Sequence, residues 1–167
     1  MSNARARANQ KLYHAKILIE AWRADLQREQ LSSGVLEGAF GEAICNHLGA
    51  AYGWFLLEVA QPEEIPRQLP RSCSELPPVA EGLKTAPEIL EFTQLEREPW
   101  LQRLLPSPAT ASAYDERAGA LPASLAAAPR SLAMVATDQN FDPDAALAIH
   151  GKLQRLFDRM ADSLDEY

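Results

Sequence analysis

Gly34 to Ala60, GVLEGAFGEAICNHLGAAYGWFLLEVA, decides the fold. Leu36, Phe40, Ile44, His47, Leu48, Ala51, Phe55 and Val59 recur at steps of three and four, one face of a 3.6-residue period. Ser32 or Ser33 stands where an N-cap belongs, Glu37 lies near the positive end of the dipole, and Pro62 ends the run. The same stretch is crowded with small residues: Gly34, Gly38, Gly41, Gly49, Gly53, Ala39, Ala43, Ala50 and Ala51. Each interior glycine costs about 1 kcal/mol relative to alanine, so such a helix needs close packing against a neighbouring backbone. A transmembrane span would also use small residues four apart, such as Gly49 and Gly53. Glu37, Glu42 and Glu58 interrupt the run, and the uncharged part from Ala43 to Leu57 falls short of the ~20 residues a bilayer requires. The stretch reads as a core helix.

The chain has 167 residues, 47% of them hydrophobic, which fits one globular helical domain over 1–167. A net charge of -7 argues against DNA and against anionic membranes, and disfavours RNA. Cys45 and Cys73 have no metal-type or CxxC spacing and read as reduced thiols of a cytoplasmic protein. The opening arginines lead into an amphipathic helix and not into the apolar core of a secretory signal.

Outward from the central helix, residues 3–31 form a first one. Ala8, Leu12, Ala15, Ile19, Trp22 and Leu26 make an a/d seam, and Asn3 is placed to cap it. Arg5, Arg7, Lys11 and Lys16 put positive charge at the positive end of its dipole. A last helix over 142–165 starts on Asp142-Pro143 and carries Leu147, Ile149 or His150, Leu153, Leu156, Phe157, Met160 and Leu164 on its apolar face. Asp158, Asp162, Asp165 and Glu166 crowd its end, again the wrong sign for its own dipole. Antiparallel packing of first and last helices relieves both anomalies.

Between them, the second helix spans 33–61 and a broken third spans 86–105. Thr85 and Glu88 form a capping box there, and Pro99 interrupts it ahead of Trp100, Leu101, Leu104 and Leu105. Residues 62–85 are irregular, with one short turn opened by Ser72 and Glu75. Residues 106–141 form an Ala/Pro-rich crossover, with a short helix at Ser112–Gly119 and an apolar run at Ser131–Thr137. The fold class is all-α, an antiparallel four-helix-bundle-like arrangement.

No constellation of catalytic residues is legible. A di-iron bundle site needs Glu-x-x-His pairs, which are absent, and His14, His47 and His150 stand singly on three helices. No nucleophile elbow, Walker loop or dinucleotide fingerprint occurs. The carboxylate pairs Glu63-Glu64, Asp142/Asp144 and Asp165-Glu166 lie in loops or at helix ends, where solvated charge is the default. Neither a metal nor a cofactor is expected. Arg7 and His14 have the Arg-x6-His spacing of helical-bundle RNases of the toxin–antitoxin type, where a cation holds phosphate and imidazole moves a proton. Their place in the first helix departs from that pattern.

Asn9-Gln10-Lys11-Leu12-Tyr13 followed by Ala15, with the small-residue second helix and Pro87-Glu88, Leu95-Glu96 and Trp100-Leu101, resembles a family of small helical proteins from gammaproteobacteria such as pseudomonads, a domain of unknown function. The resemblance covers most of the chain outside the Ala/Pro-rich segment. It implies a helical fold and supplies no activity. Within its first motif, Asn9, Gln10 and Tyr13 lie one turn apart, as a polar recognition patch or as partners of the crossing loop. These features point to a non-enzymatic helical bundle acting through a protein partner or self-association. The alternative is an RNase or a ligand- or metal-binding bundle using Arg7 and His14.

Overall fold

The computed structural model describes residues 3–62, 65–77, 87–105 and 141–165, the last four of these by backbone alone. They belong to one compact unit, Met1–Leu105 with Phe141–Tyr167, distinct from Pro106–Asn140. The Thr85 cap and the features expected at 112–119 and 131–137 lie outside the described residues.

The elements in order are α1 (Asn3–Arg28), α2 (Ser33–Ala60), a 3₁₀ turn (Cys73–Glu75), α3 (Pro87–Leu95), α4 (Pro99–Gln102) and α5 (Pro143–Asp165), with no strand among the described residues. The all-α, bundle-like reading holds, and the third helix breaks at Pro99 as expected. α1 ends three residues early because Glu29 turns left-handed at φ 52°. Gln61 does the same at φ 41° and stops α2 by donating its N–H to the Leu57 carbonyl.

Cap chemistry follows the sequence in part. Asp142 Oδ1 accepts the Ala145 N–H at 2.7 Å, with Pro143 at the first helical position of α5. Ser32 sits at the N-cap of α2 but makes no side-chain cap bond; its carbonyl takes the Val35 and Leu36 N–H groups. Asn3 Oδ1 accepts the Arg7 Nε–H at 3.0 Å. Glu75 Oε2 accepts the Arg71 N–H, so the short turn at 73–75 is tied from its far end.

Core residues are those of the periodic seams. Ala8, Leu12, Ala15, Ile19 and Trp22 of α1 are buried, with Leu26 half-buried. They meet Leu36, Ile44, Leu48, Ala51, Phe55 and Val59 of α2 and Ala146, Ile149, Leu153, Phe157 and Met160 of α5 in one cluster. Fully burying side chains of this size contributes about 1.5–3 kcal/mol each. Two aromatic groups mark its ends. Trp22 stacks on Phe40 with Phe141 beside it, and Phe55 stacks on Phe157 at 4.0 Å.

These contacts fix the orientations. Trp22 faces Phe40 and Arg7 faces Trp54, so α1 and α2 are antiparallel. Arg23, late in α1, pairs with Asp144 at the start of α5, so these two are antiparallel as well. Phe141 meets the α2 backbone at Gly41 and Phe157 meets Phe55, so α5 runs parallel to α2. The orientation expected from the charges is therefore present. Arg7 lies over the Trp54 ring and donates to Asn3.

In its second half α2 is enclosed on more than one side. Tyr52, Leu56 and Leu57 are buried in addition to the predicted face. A Cβ on Gly53 would lie 2.2 Å from the Pro70 carbonyl oxygen, and one on Gly49 would lie 3.2 Å from that of Leu104. The returning chain at Leu69–Pro70 and the turn after α4 press directly on the helix there. This is the close backbone approach that the glycines of the central stretch imply.

Candidate functional site

The α1–α2 hairpin turns over residues 29–32, so residues equally far from that turn face each other across the seam. His14 meets His47 in this way, ring centroids 5.3 Å apart and edge to face. Arg7 meets Trp54, its guanidinium carbon 4.6 Å from the ring centre. The sequence shows three isolated histidines; reflection through the turn is the signal that joins two of them. His150, the third, is buried on α5 near the Leu12 backbone.

The charges acting on His47 are those of Lys11 and His14. The His47 imidazole is held below its ordinary pKa by partial burial first, then by Lys11 and His14. His150 is shifted down too, by burial first, while the nearby Leu12 backbone works in the other direction. An imidazole kept neutral beside a second one can take a proton, and the adjacent cation suits an anion. Among the described residues no group of three His, Cys, Asp or Glu side chains gathers as a metal-ion cage would require.

The polar patch read from the first motif lies elsewhere on α1. Asn9, Gln10 and Tyr13 are all exposed, Tyr13 by 63%. Ile17, one turn on from Tyr13, is 45% exposed. The structure thus brings His14 together with His47 and Arg7 with Trp54, and leaves Asn9, Gln10 and Tyr13 in solvent.

A second polar locus was not legible in the sequence. Glu96 Oε1 accepts the Tyr52 O–H at 2.8 Å and the Cys73 N–H at 2.7 Å. The Cys73 thiol lies 3.9 Å from the Tyr52 hydroxyl and from the Ile89 carbonyl. One carboxylate thereby ties α2, the 3₁₀ turn and the end of α3. Burial, with Cys73 and Glu96 beside it, pushes the Tyr52 phenol far up. Burial first and Glu96 second push the Cys73 thiol up to about 11, and burial raises Cys45 to about 11. Such thiols are poor nucleophiles near neutral pH. This locus is a latch.

Two open grooves lie among the described residues, one lined by Arg23, Leu26, Gln27, Asp142, Pro143 and Asp144. The other is bordered by Pro87, Glu88, Glu91, Arg159 and Met160, and neither includes a histidine. Among the described residues no helix is long and apolar enough to cross a membrane.

Over residues 1–167 the chain matches the model of a family of unknown function, DUF6586, and it belongs to that family. No curated protein and no solved structure matches it.

Proposed function

We propose that this DUF6586 protein is a non-enzymatic, cytoplasmic helical bundle that works by protein–protein contact through the outer face of α1. The observation that carries this reading is the placement of Tyr13 and Ile17 one turn apart in solvent, flanked by exposed Asn9 and Gln10. Buried aromatic anchors rimmed by amides are the usual chemistry of contact hot spots, and an exposed Tyr–Ile pair has no role in this core. The test is a photo-crosslinking residue in place of Tyr13, expressed in the native host, with the same residue at exposed Ala148 on α5 as control. A protein adduct is expected at position 13 and not at 148. No adduct at 13, or equal adducts at both, overturns the reading.

A second reading is favoured by one observation, the meeting of His14 with His47 beside Lys11. Two imidazoles and a cation supply a base, an acid and an anion contact, the needs of phosphodiester cleavage. Arg7 lies two turns away and rests on Trp54. RNase activity in the purified protein that disappears in both His14→Ala and His47→Ala would establish it; activity unaffected by either would remove it.

A further inference from the structure

α1 carries two stripes, and the core uses only one. Ala8, Leu12, Ala15, Ile19, Trp22 and Leu26 face inward. Across the helix, Asn3, Ala6, Gln10, Tyr13, Ile17, Glu20, Ala24 and Gln27 repeat the same alternation of threes and fours, and all eight are exposed. This spacing is that of a coiled-coil seam, about 36 Å long at ~1.5 Å per residue.

The outer stripe is also a chemical palindrome. Residues equally far from position 15 match in kind: Tyr13 with Ile17, Gln10 with Glu20, Ala6 with Ala24, Asn3 with Gln27. A surface in contact with its own copy about a two-fold axis must be self-complementary in this sense. Set antiparallel, two such stripes place Tyr13 and Ile17 of both copies in one apolar group at the axis. Gln10 then donates to Glu20 on either side, and Ala6 faces Ala24 where the backbones come close.

Charge selects the direction. Arg5, Arg7, Lys11 and Lys16 precede the first acid of α1, while Glu20 and Asp25 follow, interleaved with Arg23 and Arg28. Parallel pairing would lay one basic end on the other; antiparallel pairing lays each against the second half of its partner, where Arg23 and Arg28 are matched by Glu20 and Asp25. Lys16 and Glu20 stay available at the edge, more than half exposed in a loose pair.

We infer that a second copy of this chain docks antiparallel along Asn3–Gln27, forming a two-fold dimer centred on Tyr13 and Ile17. The inference rests on the contact function proposed above and names its partner. A single helix face of this length falls at the low end of specific interfaces, on the order of 1,000 Å² in total, so the dimer is reversible.

The test uses the full chain in two measurements. Sedimentation equilibrium reads the association: the parent protein shows a concentration-dependent monomer–dimer equilibrium, and Tyr13→Lys/Ile17→Lys is monomeric with an unchanged helical circular-dichroism spectrum. Disulfide trapping in a Cys45→Ala/Cys73→Ala background reads the direction: Ala6→Cys mixed with Ala24→Cys gives a covalent dimer, and neither variant alone does so. A parent that stays monomeric, or a dimer that survives the lysine pair, overturns the inference. Trapping of Ala6→Cys with itself overturns the antiparallel setting. A monomer with a protein adduct at position 13 from another chain would separate the two claims, sinking self-pairing while the contact function stands.

Discussion

The two halves of α2 are equally rich in small residues and use them for opposite ends. Near its start, a Cβ on Gly34 or Gly38 would meet nothing within 4 Å, and the neighbouring Val35 is 56% exposed. Near its end, Gly49 and Gly53 lie under the carbonyls of Leu104 and Pro70. At Gly34 and Gly38 glycine is a cost without a contact; Gly41 admits the Phe141 ring, and Gly49 and Gly53 admit another backbone. A glycine in a helix therefore reports on packing only when the neighbouring chain is known.

Substitution separates the halves most strongly at Gly53. Its added methyl would collide with the Pro70 backbone, which cannot swing aside as a side-chain tip can. Gly53→Ala is expected to lose about 2–3 kcal/mol by urea denaturation, the overpacking penalty outweighing the gain of about 1 kcal/mol in helix propensity. A neutral result would mean that residues 69 and 70 do not close over α2.

A smaller effect is expected at the latch on the same half. Tyr52→Phe removes the donor to Glu96 and is expected to cost about 1–2 kcal/mol, with the Cys73 N–H still holding the carboxylate. Tyr52, Cys73 and Cys45 all keep protons in the folded chain that the unfolded chain releases at lower pH. Their contribution to stability is thus fully present below the ordinary thiol range and falls as pH rises from about 9 through about 11. Thermal melts over that window should show the decline, and Tyr52→Phe should make it shallower.

The smallest change is expected on the open half, with reversed sign. Gly38→Ala is expected to stabilise by up to about 1 kcal/mol, since nothing lies near its added methyl. Gly49→Ala, at 3.2 Å from the Leu104 oxygen, falls between the two and near zero. Equal shifts at 38, 49 and 53 in one denaturation series would erase the distinction between the halves.

What could be read in advance follows from which contacts leave a period. The α1 seam, the Asp142-Pro143 start of α5 and the break at Pro99 are local chemistry and are present as read. Tyr52, Leu56 and Leu57 were missed because periodicity finds one face, and this end of α2 is covered on several. The Tyr52–Glu96–Cys73 latch joins residues 21 to 44 apart, for which no spacing rule exists. His47 falls within the periodic face of α2 and His14 outside the α1 seam, and neither pattern points to the other residue; only the short turn between the helices puts them opposite each other.

That short turn also sets an order of assembly. α1 and α2 close over residues 29–32, whereas α5 begins at Pro143, far along the chain from Ala60. Closing the longer loop costs roughly 2–3 kcal/mol more in chain entropy, so the hairpin is the early event and α5 arrives late. Until it does, Phe55 lacks its stacking partner and the seam of Leu12, Ile19 and Trp22 is covered on one side only. A ribosome releasing this chain would hold a half-covered hairpin through the synthesis of everything before Pro143, and that interval is when the chain is most exposed to aggregation and most in need of a chaperone.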